Sequence, residues 1–341
     1  MSISPRRRLS LRLPTSGQLD PTRTRLVLEL RHGSPFLGCR FDPSGRFVFA
    51  GAQDNTVQRW ELATGRRSAL TGHRSWIRAL AFHEGRLFSG DYNGRTLVWR
   101  VDAESPAPLQ TIDAHHGWVR AMAMSPDGQL LASCGNDNLV KLWSTVDGGL
   151  VRVLAGHEHH VYNVAFHPAE RQLVSADLHG MIRRWNVDNG MQTGTMDCSV
   201  LFRYDPTFRA DHGGVRGMTF NREGTVLACT GITNVTNAFA GVGNPAVVLF
   251  DWHTGKRMEI LRPQPVFQGT GWGVIYHPKG FVAAAGGGNG GALWFWRTDQ
   301  ANSFHTLALP NNARDLDLHP DGRRLAIAFF DGAVRIYDMA P

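Results

Sequence analysis

The sequence has no apolar run near the roughly 18 residues needed to cross a bilayer as a helix. Behind the basic start Met-Ser-Ile-Ser-Pro-Arg-Arg-Arg there is no apolar stretch, so a secretory signal is not expected. Membrane insertion and secretion are both disfavoured. Cysteine is scarce: Cys39, Cys134, Cys198 and Cys229 show neither close pairing nor metal-type spacing. That suits a reducing compartment, and the expected location is cytoplasmic. Lysine is nearly missing, with 3 residues against 33 arginines, a bias of the kind a GC-rich genome produces. No stretch carries a long amphipathic helical pattern. What is plentiful is glycine (38) and tryptophan (10), which together call for many tight turns and a repeated aromatic anchor. With 42% hydrophobic and 19% charged residues, the 341-residue chain is globular.

Its charge is unevenly placed. Residues 1–25 hold six arginines and one aspartate, or +5 of the net +7, while the remainder carries 30 basic and 28 acidic residues. A fold that binds nucleic acid should carry the excess itself, on one face. Residues 1–25 therefore read as a flexible basic N-terminal arm.

Self-similarity is the strongest signal. The aromatics Trp60, Trp99, Trp143, Trp185, Phe250, Trp296 and Tyr337 recur at gaps of 39, 44, 42, 65, 46 and 41 residues. All but one gap fall near the period of about 40–45 that a four-stranded blade requires. Each unit has a turn, such as Ser125-Pro126-Asp127-Gly128, in which proline fixes one dihedral and glycine permits a positive one. Short alternating runs around the turns, such as Leu139-Val-Lys-Leu-Trp143, read as strands. Starts of the first strands are expected at Phe36, Ile77, Val119, Val161, Val215, Gly271 and Ala313. From those starts to the closing aromatic the distance is 24 residues in units one, three, four and seven. The fold class is all-β.

On these residues the chain resembles the WD-repeat family, and the resemblance implies a seven-bladed β-propeller over residues 26–341. Unit three matches best. In that family His115, Ser133, Asp137 and Trp143 would form a buried hydrogen-bonded relay. Unit two repeats it with His73, Ser89 and Trp99, where Asn93 stands at the acid position. Unit four has His157, Ser175 and Trp185 with His179 there, and unit one keeps His32, Asp54 and Trp60. The closing dipeptide is nowhere Trp-Asp; Trp60-Glu61, Phe250-Asp251 and Tyr337-Asp338 come nearest. The run Leu26–Leu30 lacks a partner in the first unit, and the last unit ends too early for a fourth strand. Leu26–Leu30 is therefore expected to complete the last blade and close the ring.

In this architecture the connections between blades share one rim with the turns between second and third strands. The 65-residue gap holds two insertions, residues 199–209 and 233–245, both on that rim. Long loops on a rigid scaffold are disproportionately functional. One residue after each strand start stand Leu37, Arg78, Arg120, Tyr162, Arg216, Trp272 and Arg314, a register that in the family faces the channel mouth. Trp76, Trp118 and His160 precede three starts, and Tyr92 and Asn136 stand ahead of two acid positions. Arginine and aromatics are the residue types of interface hot spots. A carboxylate-bearing peptide is the natural ligand of such a ring.

Other motifs are declined. His157-Glu-His-His160 has one histidine in the relay, and neighbours on one connection rarely converge on an ion, so no metal is expected. Gly241-x-Gly243-x-x-Ala246 lacks the strand and helix of a dinucleotide site and contains Pro245. Gly286–Gly291 reads as a wide turn, and the His-Pro histidines as turn residues. Asn234-Val-Thr236 is a glycosylation sequon, relevant only on export. No catalytic set and no cofactor is expected. The resulting expectation is a non-catalytic protein–protein interaction scaffold that docks a protein or peptide partner on the insertion-bearing rim. The alternatives are an enzyme or small-molecule binder at the channel mouth, and nucleic-acid binding through the basic arm and the rim.

Overall fold

The computed structural model describes residues 19–237 and 241–340. Seven four-stranded antiparallel sheets follow one another along the chain, each meandering from an inner strand a to an outer strand d. In blade 1 these are Phe36–Phe41, Phe47–Ala52, Thr56–Glu61 and Arg67–Thr71. The first six sheets take all four strands in sequence order. In the seventh, strand d is Arg25–Arg31, hydrogen-bonded antiparallel to Ala333–Asp338. The chain thus forms a seven-bladed β-propeller closed by its own N-terminal strand. Closure covers the otherwise open edge of Ala333–Asp338 and joins the two ends of the ring.

The core is not one volume but seven slabs, one between each pair of adjacent blades. Because alternate residues of a strand point to opposite faces, strand b of blade 1 sends Phe47 and Phe49 to blade 2 and Val48 and Ala50 to blade 7. Both faces are covered, so the strand is buried along its whole length. The recurring aromatic that marked the repeat lies in these slabs: Trp60 between blades 7 and 1, Trp143 between 2 and 3, Trp185 between 3 and 4.

Two expectations need correction. The expected arm of residues 1–25 is too long: residues 19–25 pack on the propeller, and its residues 1–18 lie outside the described part. Asp20 caps a short 3-10 turn, Pro21–Arg23, its N–H bonds the Met339 carbonyl, and Leu19 packs against the slab between blades 6 and 7. Gly286–Gly291 is a tight hairpin, with Gly288 opposite Gly290 and Asn289 at the tip.

The His-Pro histidines do more than turn the chain. His167 Nε2 bonds the Gly224 carbonyl (2.9 Å), His277 the Gly322 carbonyl (2.7 Å) and His319 the Gly45 carbonyl (3.0 Å). Each imidazole therefore clasps the a–b turn of the next blade, and His319 does so across the closure. Gly45 has φ +70°, and a Cβ there would lie 2.4 Å from His319 Nε2, so the clasp requires glycine at that turn.

Candidate functional site

The rim that carries the insertions is built on the relay beneath it. In blade 3 the Trp143 indole N–H donates to Ser133 Oγ (2.8 Å), and Ser133 Oγ lies 2.7 Å from His115 Nε2. His115 Nδ1 lies 2.8 Å from Asp137. The chain of donors is complete with a neutral imidazole: indole to hydroxyl, hydroxyl to Nε2, Nδ1–H to carboxylate. It ties strand c, strand b, the b–c turn and the incoming connection into one rigid unit.

In blades 2 and 4 the acid is not where the repeat pattern put it. His73 bonds Asp91 and His157 bonds Asp177, each at 2.8 Å, with Ser89 and Ser175 completing the set. Asn93 and His179 instead donate their backbone N–H groups to those same carboxylates. The reason is the two-residue period of a strand: Asp91 and Asp177 stand two residues beyond the serine and so share its face. In blade 1 the hydroxyl position is Ala50, and only the His32–Asp54 contact remains, at 2.6 Å.

Burial holds the His115 imidazole below its ordinary value, against the pull of Asp137. Burial opposes ionisation of Asp137 as well, but the bonds from His115 and the His116 N–H outweigh it and bring the carboxyl down to about 2. Both shifts are depressions, so both contributions are lost on acidification. The His115 share fades as pH falls below about 6.5, where the unfolded chain takes up a proton that the folded one refuses. The Asp137 share fades from about 4 towards 2. Asp317, which burial pushes up to about 6, has the opposite sign and is a single group. Thermal unfolding between pH 8 and 3 should show a falling midpoint, with the lower stage reduced in Asp137→Asn.

Above the relays, strand a enters the channel through a bulge. In blade 2 Ile77 pairs with Asp91 and Ala79 with Gly90, leaving Arg78 as the extra residue. The same shift sets apart Leu37, Arg120, Tyr162, Trp272 and Arg314 in blades 1, 3, 4, 6 and 7. In blade 5 the Arg216 N–H bonds the Thr230 carbonyl that Gly217 also faces. A bulge re-aims its side chain, and here six of them, with Arg216 at the same place in blade 5, turn one residue per blade into the channel.

The result is a cavity of about 270 Å³ at the mouth, where these seven residues meet Gln53, Trp76, Tyr92, Trp118 and Phe330. His160 and Asn136 do not line it. His160 reaches Asn138 (3.1 Å), and Asn136 accepts from Arg120 Nε (2.7 Å), holding that guanidinium in place. Cations and rings alternate: Arg120 lies 4.2 Å from the Trp118 ring and 4.3 Å from Tyr162, and Arg216 4.5 Å from Tyr162 and 5.1 Å from Trp272. Tyr92 stacks on Trp118 at 3.9 Å.

Among the described residues, none of Arg78, Arg120, Arg216 and Arg314 has a carboxylate at ion-pair distance. Asp315, the nearby acid, is taken by Arg40 at 2.5 Å. Burial without a counter-charge pushes Arg216 down to about 10 and lowers Arg120 and Arg314, all still cationic at neutral pH. The Nε groups of Arg216 and Arg314 are buried without a hydrogen-bond partner. The mouth is thus positive and under-satisfied.

Aromatic exposure follows the same rim. The exposed aromatic residues among those described are Trp76 (43%), Trp118 (37%), Tyr204, Phe208 and Phe330, and all lie in its connections. The first insertion folds as a short hairpin, Phe202–Asp205 with Ala210–Gly213. The second lengthens strands b and c of blade 5 to Val226–Asn237 and Val242–Asp251. Leu201, at the base of the first, packs in the slab between blades 4 and 5 and against Gly231 of the second.

The family model for the WD domain, G-beta repeat (WD40), matches residues 24–61, 65–100, 106–144, 148–186 and 303–338, together more than half of the chain. The chain is a WD40-repeat protein. Blade 5 and strands a to c of blade 6 of this WD40 propeller fall outside the match, and there the relay hydroxyl is replaced by Cys229 and Ala284. The chain is 24% identical over 177 residues to an uncharacterized WD repeat-containing protein of Schizosaccharomyces pombe, covering 48% of each. It is 26% identical over 210 residues to transcription initiation factor TFIID subunit 5 of Caenorhabditis elegans, covering 58% of this chain and 32% of that one. With TOPLESS of Arabidopsis thaliana the identity is 26% over 203 residues, 57% of this chain and 17% of the relative. The chain thus spans about half or less of the curated relatives it matches. WD40 propellers are in general protein-interaction scaffolds without catalysis of their own. No described helix is long and apolar enough to cross a membrane.

Proposed function

We propose that this propeller is a non-catalytic docking scaffold whose ligand is a protein or peptide segment bearing acidic side chains, bound on the insertion rim at the channel mouth. The observation that carries the reading is the ring of four arginines without carboxylate partners among the described residues, framed by exposed aromatics of the same rim. An acidic side chain entering the mouth would supply the missing acceptors, since a carboxylate takes two parallel bonds from one guanidinium. Trp76, Tyr92 and Trp118 offer rigid flat area for the flanking backbone. The relative that is a subunit of a transcription initiation factor supports a partner that is itself a protein.

The test is binding of the full chain to acidic peptides and to the same peptides with every Asp and Glu replaced by its amide. The acidic set should bind at least about tenfold tighter, and the double variant Trp118→Ala/Arg120→Ala should lose that preference while keeping the native circular dichroism. Equal binding of the amide set, or an unchanged double variant, contradicts the reading. Free small dicarboxylates binding as well as the peptides would move the function to a small-anion site.

A further inference from the structure

The channel mouth does not exhaust the chemistry of this rim. At the junction of blade 4 and the first insertion, three ligand-type side chains meet: His159, His179 and Asp211. They come from three separate connections. His159 stands between strand d of blade 3 (Leu150–Leu154) and strand a of blade 4 (Val161–Phe166), His179 in the b–c turn of blade 4, and Asp211 on the insertion hairpin. We propose that they bind one divalent transition-metal ion of zinc type, a site independent of the peptide reading.

Geometry is the first support. One ligand atom from each residue lies within 4.8 Å of the others, and His179 Nε2 is 3.1 Å from Asp211 Oδ2. Bonds of about 2.0–2.1 Å in a tetrahedron place neighbouring ligand atoms about 3.3 Å apart. The His179–Asp211 edge already matches; His159, whose ring lies nearly parallel to His179 at 3.4 Å, must turn out of that stack for its in-plane lone pair to reach the same ion.

The second support is that the site is held from outside itself. Phe202 covers a face of His179 at 4.0 Å. The backbone beneath both histidines is pinned by the relay of blade 4: Asp177 accepts the His179 N–H and bonds His157, two residues from His159. Asp211 is set by its ladder partner Tyr204. Outer contacts of this kind orient metal ligands and are as much part of a site as the ligands.

The donor set selects the ion. Two imidazoles and one carboxylate suit zinc and its neighbours, whereas magnesium and calcium take oxygen ligands. Three protein ligands leave one position for water. The bound ion would pin the insertion hairpin to blade 4, fixing the height of Tyr204 and Phe208 above the rim.

The experiment uses the full chain, stripped with chelator and dialysed. Calorimetric titration with Zn2+ should give one equivalent, and Co2+ should give visible bands of a low-coordinate site. His159→Gln and Asp211→Asn should each weaken Zn2+ binding by at least about tenfold and remove the Co2+ bands. The exposed His253→Gln should change neither, and Mg2+ in excess should not compete. Amide exchange in residues 202–213 should slow on adding Zn2+. Absence of stoichiometric binding, or binding that survives both substitutions, overturns the assignment and leaves a hydrogen-bonded His–Asp pair.

Discussion

Asp91→Ala is expected to lower folding stability by about 3 kcal/mol, while Asn93→Ala, two residues away, stays within about 0.5 kcal/mol. Asp91 is fully buried and accepts from His73 Nδ1 and from the N–H groups of Asn93 and Arg95. Alanine leaves those donors without acceptors in a place water does not reach, and the desolvation penalty of each falls on the folded state. Asn93 contributes a side-chain contact to the Arg74 carbonyl at 3.5 Å, too long to matter. The same contrast holds for Asp177→Ala against His179→Ala in metal-free buffer. Urea midpoints read the difference, and a destabilisation at Asn93 equal to that at Asp91 would return the acid to the turn.

The second large effect is at the closure. Leu30 is buried with Phe36, Val334 and Ile336 in the slab between blades 7 and 1, whereas Leu26 on the same strand is 47% exposed. Leu30→Asp puts an unpaired carboxylate into that slab, at a penalty of several kcal/mol. It also frees the strand Arg25–Arg31 to detach, exposing the edge of Ala333–Asp338 and breaking the Glu29–Arg335 ion pair (2.6 Å). The variant should aggregate or unfold at a much lower temperature, while Leu26→Asp behaves as the parent. Equal behaviour of the two in thermal unfolding and size-exclusion chromatography would mean that closure contributes little.

Much of the architecture was legible because the propeller is a one-dimensional repeat. A closing aromatic every 40-odd residues can be read without knowing any contact, and the strand starts Phe36, Ile77, Val119, Val161 and Ala313 begin the observed strands. The closure was legible for the same reason: one strand too many at the start and one too few at the end. The acid of blades 2 and 4 was not, because a repeat template aligns positions along the chain, whereas hydrogen bonding follows the face of a strand. His167, His277 and His319 looked like turn residues because their partners lie 45 or more residues away in the next blade.

The channel ring could be aligned but not understood from sequence. That Arg78, Arg120, Arg216 and Arg314 turn inward depends on bulges, which leave no compositional trace. Whether they are neutralised depended on where Asp315 points, and it points to Arg40. The cluster of His159, His179 and Asp211 was hidden more deeply. Its members are separated by 20 and 32 residues, and only the insertion hairpin folding back on blade 4 brings the third to the first two.

The most direct measurement of the central idea is a hydrogen-exchange footprint of the full chain with and without a bound acidic partner. Slowed exchange should be confined to the turns around Trp76, Tyr92 and Trp118, to the hairpin of residues 202–213 and to the paired strand ends 230–237 and 242–246. Protection on the opposite rim, at turns such as Ser125–Gly128, or along the outermost strands, would contradict it.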